Sequence, residues 1–284
     1  MLINKERFHR NEIKVISGCV LLLASLFTLT ADAQEGTVVI HQQDIKNGVA
    51  LYGKNNNVYP VTLEVNFDVS NLNSTKGNPI IIVISGESQV KLTELRIDKK
   101  DASWKMNYNY TFYQGSIFAE HKKGFGYRLP YKKGTAHRLD QGYGGKFSHK
   151  GDSRYSLDFH MAEGTGVYAA RAGVVVEIQE GYSEGGNDRS LVDKANFVSI
   201  LHDDGTFAQY SHLQKSGVLV KIGQKVRAGE KIGLSGATGF ATGPHLHFNV
   251  VKAKKGGGFQ TLPVRFSTKD GIQELEEGQS YIGY

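Results

Sequence analysis

Val61, Leu63, Val65, Phe67 and Val69 alternate with Thr62, Glu64, Asn66 and Asp68, a period of two that suits an extended strand with one wet face. Trp104, Met106, Tyr108, Tyr110 and Phe112 repeat it. No stretch after residue 33 carries the 3.6-residue apolar period of an amphipathic helix, which places the chain in the all-β class. Residues 34 to 123, with short strands between Asn, Gly, Ser and Asp clusters, read as a small N-terminal β-sandwich. Within it the unbroken run Ile80 to Ile84 predicts a strand buried on both faces. The aromatic row reads as core rather than as a ligand platform, because aromatic rings supply so much buried area.

Basic, glycine-bearing text at residues 121 to 133 marks a linker into a second β-rich domain, residues 124 to 254. There, residues 167 to 170 and 174 to 178 flank Arg171-Ala172-Gly173 and predict a hairpin. Residues 197 to 202 and 207 to 213 flank Asp203-Asp204-Gly205-Thr206 and predict another. Residues 181 to 193 are a polar, Gly-rich loop, and Gly256-Gly257-Gly258 reads as a flexible joint into a polar tail, residues 255 to 284.

Residues 1 to 33 have the grammar of a secretory signal peptide: Lys5, Arg7, Arg10 and Lys14, then an apolar run from Val15 to Thr30, then Ala31-Asp32-Ala33. Acylation at Cys19 and a retained membrane anchor are the alternatives. The apolar run follows Cys19 rather than preceding it, which favours cleavage near Ala33. Cys19 is the only cysteine, so the rest of the chain has no disulfide, thiol nucleophile or cysteine-ligated metal. Any metal site must use His, Asp or Glu. The formal charge of +6 suits an anionic surface or polymer such as a cell wall, and no aromatic-and-basic module for nucleic acid is present.

Chemistry concentrates at Gly-Pro-His-Leu-His-Phe, residues 243 to 248. On a strand, His245 and His247 share a face while Leu246 points into a core. Two imidazoles on one face suit a zinc site in which one binds metal and the other handles protons. Asp158 is a carboxylate inside the apolar segment Leu157-Asp158-Phe159, where an ionised group needs a cation beside it. His149 lies on a turn-like segment ahead of it, and His212 closes a strand with no packing reason to be histidine. His160 shares a face with Asp158 in a regular strand. His41, His121, His137 and His202 read as surface residues or linker.

SHKGDSRYSLDFHMAEGTGVYAARAGVVV, FAQYSHL, VKIGQKVRAGEKIGLSGATG and ATGPHLHF, in this order, resemble the lysostaphin-type (LytM-like) zinc metalloendopeptidases over residues 124 to 254. The resemblance implies a β-rich fold of the duplicated hybrid, lipoyl-carrier-like kind. It implies one zinc held by His149, Asp158 and His247, with His212 and His245 assisting catalysis. The family spacing is His-x-x-x-Asp, whereas Asp158 stands nine residues after His149. Asp152 is nearer but sits in a Lys-Gly-Asp-Ser turn where aspartate is at home, so Asp158 is the expected ligand, with an enlarged loop.

The implied activity is hydrolysis of peptide cross-links in bacterial peptidoglycan by an exported, periplasmic or envelope enzyme, with D,D-endopeptidase cleavage first and glycyl-glycine cleavage second. One rival is an inert relative that binds or activates other wall hydrolases; the filled positions argue against it. Another is a phosphohistidine carrier suggested by the glycine-valine pattern at 223 to 233, which export disfavours. The N-terminal module is expected to position or restrain the catalytic domain, or to hold a cell-envelope protein partner.

Overall fold

The computed structural model describes the backbone of residues 11–18 and residues 37–284. The segment read as a signal peptide lies outside these residues except for Asn11–Gly18, an edge strand against Trp104–Gln114. Among the described residues no helix is long and apolar enough to cross a membrane. The helical pieces described are two short 3-10 segments, Gly151–Ser153 and Arg189–Lys194. The chain divides at Ser116/Ile117 into two units.

The first unit holds two four-stranded sheets. Val61–Ser70 pairs with Trp104–Gln114 and with Ile80–Ile84, all antiparallel. Val61, Leu63, Val65, Met106 and Tyr108 join Val49, Leu51, Leu92 and Leu95 of the other sheet in one apolar cluster. Ile80–Ile84 is not buried on both faces: it ends its sheet, and Ile81, Ile82 and Val83 stay half-exposed. A β-branched run cannot distinguish an edge strand from a central one.

The second unit, residues 117–284, is built on an eleven-stranded sheet. The hairpin of Asn196–Leu201 with Phe207–Val218 forms as the sequence predicts. The other predicted hairpin does not. Gly166–Tyr168 pairs with Lys231–Ser235, and Gly173–Gln179 pairs instead with Asn196–Leu201 and Lys225–Val226. Arg171 stands in the supposed turn. It is buried, donates to Asp204 Oδ2 at 2.7 Å, to Asp203 and to Tyr127 Oη at 3.1 Å, and lies 4.4 Å from the Phe125 ring centre.

Two further expectations are corrected. The basic stretch after residue 121 is not a loose linker, because Tyr127, Leu129 and Tyr131 are core residues and Lys122 N donates to Asp204. Nor is the C-terminal segment a tail. Phe259–Thr261 pairs with His245–Ala253, Val264, Phe266 and Leu275 enter the core, and Ser280–Ile282 pairs with Ala136–Gln141. The three glycines make a closed turn, with Lys254 N donating to Gly258 O. All three take positive φ, which glycine adopts without a side-chain clash.

His202 is buried rather than at the surface, its Nδ1–H donating to Ala172 O at 2.9 Å. Burial pushes its pKa down to about 4 from 6.5. The unfolded chain therefore takes up a proton near pH 6.5 that the folded chain refuses until about pH 4, so this contribution is complete above pH 6.5 and is lost as pH falls through the window. The shift corresponds to about 3 kcal/mol. Urea unfolding should show stability falling between pH 6.5 and 4.5 in the unaltered protein and falling less steeply in His202→Gln.

Candidate metal centre

Ala136–Gln141, Leu157–His160, His245–Ala253 and Phe207–Val218 are neighbours in the large sheet. Gln141 lies opposite Asp158, Asp158 opposite His247, and His247 opposite Ser211. Directly opposed residues share a face, so this row crosses four strands on one side of the sheet. His245, two residues before His247, stands on the same face opposite His160. Leu246 between them is fully buried in the core.

His149 arrives from a loop just before the 3-10 turn Gly151–Ser153. Its Nδ1–H donates to Gly142 O at 2.8 Å, which turns Nε2 towards Asp158 Oδ2, 3.2 Å away. That Nε2 is buried without a hydrogen-bond partner. With the proton on Nδ1, a nitrogen lone pair faces a carboxylate oxygen, an arrangement that a cation between them would satisfy. His247 uses its other nitrogen: Nδ1 is 2.7 Å from Asp158 Oδ1. Ligand atoms of His149, Asp158 and His247 all lie within 4.8 Å of one another. Two imidazole nitrogens and a carboxylate, with no thiolate, suit zinc with a coordination position left over.

Burial alone would raise the Asp158 carboxyl, but its contacts with His149 and His247 outweigh it and hold the group well below the usual carboxylate range. Asp152 is exposed and pairs with Lys254 instead, away from this centre. The nine-residue spacing is absorbed by the 3-10 turn, whose Asp152 carbonyl accepts from Thr261 Oγ1.

His212 reaches the same centre by a distortion. Beside Ser211 in a regular strand it would point to the opposite face. Its φ of +64° lies in the left-handed region, and its ring centre is 4.6 Å from that of His245 and 5.7 Å from that of His247. The Nδ1–H of His212 donates to Thr238 O at 2.7 Å, holding the ring there. Burial lowers its pKa to about 3, so it is neutral near pH 7. His245 is anchored likewise, Nδ1–H to Gly243 O at 2.9 Å, with Nε2 3.8 Å from Asp158 Oδ1. Three of the four imidazoles thus spend one proton on a backbone carbonyl and leave Nε2 facing inward.

Sequence reading missed Gln141. Its amide nitrogen donates to Asp158 Oδ2 at 2.8 Å and Ser148 Oγ at 2.9 Å, while its oxygen accepts from the backbone N–H groups of Phe147 and Ser148. One side chain therefore fixes the carboxylate and the loop that carries His149. Only its place opposite Asp158 reveals it, and that register is not written in local sequence.

Asp158 and His245 open onto a cleft of about 450 Å³ lined also by Asp140, Lys146, Phe147, His160 and Glu277. His160 lines this cleft with its Nδ1–H donating to Asp140 at 3.0 Å. The 181 to 193 loop meets the loop before Pro244 through parallel pairing of Gly185–Gly186 with Gly239–Phe240. Phe147 stacks on Phe240 with ring centres 5.6 Å apart, and Arg189 lies over the same Phe240 ring.

Residues 152–258 match peptidase family M23, a segment that begins three residues after His149 and takes in Asp158, His212, His245 and His247. The glycyl-glycine endopeptidase ALE-1 of Staphylococcus capitis is 37% identical over 148 residues, covering 52% of this chain and 30% of that protein. The peptidoglycan DD-endopeptidase ShyA of Vibrio cholerae is 44% identical over 94 residues, covering 33% of this chain and 19% of that protein. The chain thus spans less than a third of the length of these relatives. Among solved structures, a mutant catalytic domain of the prophage-encoded M23 protein EnpA from Enterococcus faecalis matches at 27% identity and a TM-score of 0.36, covering 47% of this chain and 93% of that one.

Replacing Gln141 by leucine removes the donor to Asp158 and the acceptor for two backbone N–H groups. Each buried group left unpaired costs about 1–3 kcal/mol. Gln141→Leu should lower the urea-unfolding free energy of the second unit by at least about 2 kcal/mol, whereas a change within 0.5 kcal/mol, roughly the scatter of surface substitutions, would show that the loop is held by other means.

Proposed function

We propose that the chain, whose residues 152–258 match peptidase family M23, is an exported zinc endopeptidase that hydrolyses the peptide cross-links of bacterial peptidoglycan. The observation that carries this reading is the meeting of His149, Asp158, His247, His212 and His245 at the edge of an open cleft. One zinc, held by His149 Nε2, an Asp158 oxygen and His247 Nδ1, would supply Lewis acidity at the scissile carbonyl and lower the pKa of water.

The remaining work falls to the two other imidazoles. His212, buried and neutral, presents Nε2 as an acceptor that orients the attacking water. His245, beside it and reaching the cleft, takes the proton of that water on Nε2 and returns it to the amine as the peptide bond breaks. Both rings are held by a backbone carbonyl on Nδ1, so little reorganisation accompanies proton transfer. Among the described residues no carboxylate other than Asp158 approaches this centre closely enough to form a three-ligand cluster.

The cleft favours D,D-cleavage of stem-peptide cross-links over glycine bridges. Asp140, Lys146, His160 and Glu277 line it, and a run of glycines has no side chains to pair with them. The relative named a DD-endopeptidase supports the same choice, although one named a glycyl-glycine endopeptidase also matches. Export rests on the basic and apolar leader of residues 1 to 33 and implies action in the periplasm or cell envelope. The first unit serves to position the catalytic unit or to hold an envelope partner.

Purified protein incubated with cross-linked peptidoglycan should release uncross-linked muropeptides, read by mass spectrometry, and a chelator should stop it until zinc is restored. His247→Ala should lose zinc and activity together. His212→Ala and His245→Ala should keep zinc but lose about 10²- to 10⁴-fold in kcat. Cleavage of pentaglycine with stem cross-links intact would reverse the substrate assignment.

A further inference from the structure

Asn249 follows His247 by two residues on the same strand and is buried, 1% exposed. Its amide nitrogen lies 3.2 Å from His247 Nε2, while its amide oxygen is buried with no hydrogen-bond partner. The two ends of a carboxamide have nearly the same shape, so a half-turn exchanges them at no steric cost. The consequence is chemical. A histidine that offers the Nδ1 lone pair to a metal carries its proton on Nε2, and in a buried site that N–H needs an acceptor. The unpartnered amide oxygen of Asn249 can supply one once the carboxamide is turned.

We propose that Asn249 is a positioning residue for the metal: its amide oxygen accepts Nε2–H of His247, fixes the proton there and commits Nδ1 to the ion. This rests on the metal-centre reading of His149, Asp158 and His247. Asn249 acts through His247 and touches no substrate.

Zinc affinity, measured by competition with a chromophoric chelator, tests it in the unaltered protein, Asn249→Leu and Asn249→Asp. Leucine keeps the volume and removes the acceptor, and its zinc affinity should fall about 10- to 100-fold. Aspartate is an acceptor only and should bind zinc at least as tightly as asparagine. Long-range proton–nitrogen spectra of the zinc-loaded protein should show His247 protonated at Nε2. Equal affinity in the leucine variant, an aspartate variant as weak as leucine, or a proton on Nδ1 would each overturn the proposal. Should the leucine variant fail to fold, the aspartate variant and the spectra still decide. An unaltered protein that takes up no zinc overturns the metal reading beneath it, whereas zinc uptake without peptidoglycan cleavage overturns the substrate alone.

Discussion

The site is organised around one buried carboxylate. Asp158 is 8% exposed, and its two oxygens meet the rings of His149 and His247 and the amide of Gln141. A lone carboxylate at that depth would be strongly disfavoured, so its neighbours have to be fixed before it can exist there. The fold does this twice over. Sheet register puts Gln141 and His247 directly opposite Asp158 on its two sides, and backbone carbonyls lock three of the four imidazoles by their Nδ1 hydrogens.

Much of this was legible in the sequence because it depends on short-range geometry. The strand period sets His245 and His247 on one face with Leu246 in the core, and an aspartate between Leu157 and Phe159 signals a charge in need of a partner. The Asp203-Asp204-Gly205-Thr206 turn marked its hairpin for the same reason. Pairing across long separations was not legible. Gly166–Tyr168 finds Lys231–Ser235 rather than its neighbour, and the arginine of the supposed turn, a residue type that reads as surface, is buried.

The polar segments at either end of the second unit misled for a related reason. Tyr127, Leu129, Tyr131, Val264, Phe266 and Leu275 are isolated apolar residues in polar surroundings, and each enters the core from a short strand or an irregular stretch. Only the completed sheet gives them a common destination. Gln141 and Asn249 were invisible likewise: they are ordinary amides whose meaning comes from what stands opposite or beside them. His212 lies between, since its residue type was informative but the left-handed backbone that aims it was not.

The pairing of Ser280–Ile282 with Ala136–Gln141 has a consequence for the order in which the molecule matures. Gln141 ends the strand that this last pairing flanks, and Gly142 beside it, whose carbonyl holds His149, donates its own N–H to Glu277 at 3.1 Å. The support of the metal centre is therefore assembled from residues synthesised more than a hundred positions apart. A nascent chain emerging from the ribosome has His149, Asp158 and His247 by residue 247 but lacks the strand that flanks Ala136–Gln141 until residue 282 has followed. The cluster of His149, Asp158 and His247 thus exists in the chain before the strand that flanks its support, and a polypeptide still being made carries those side chains in an unassembled form.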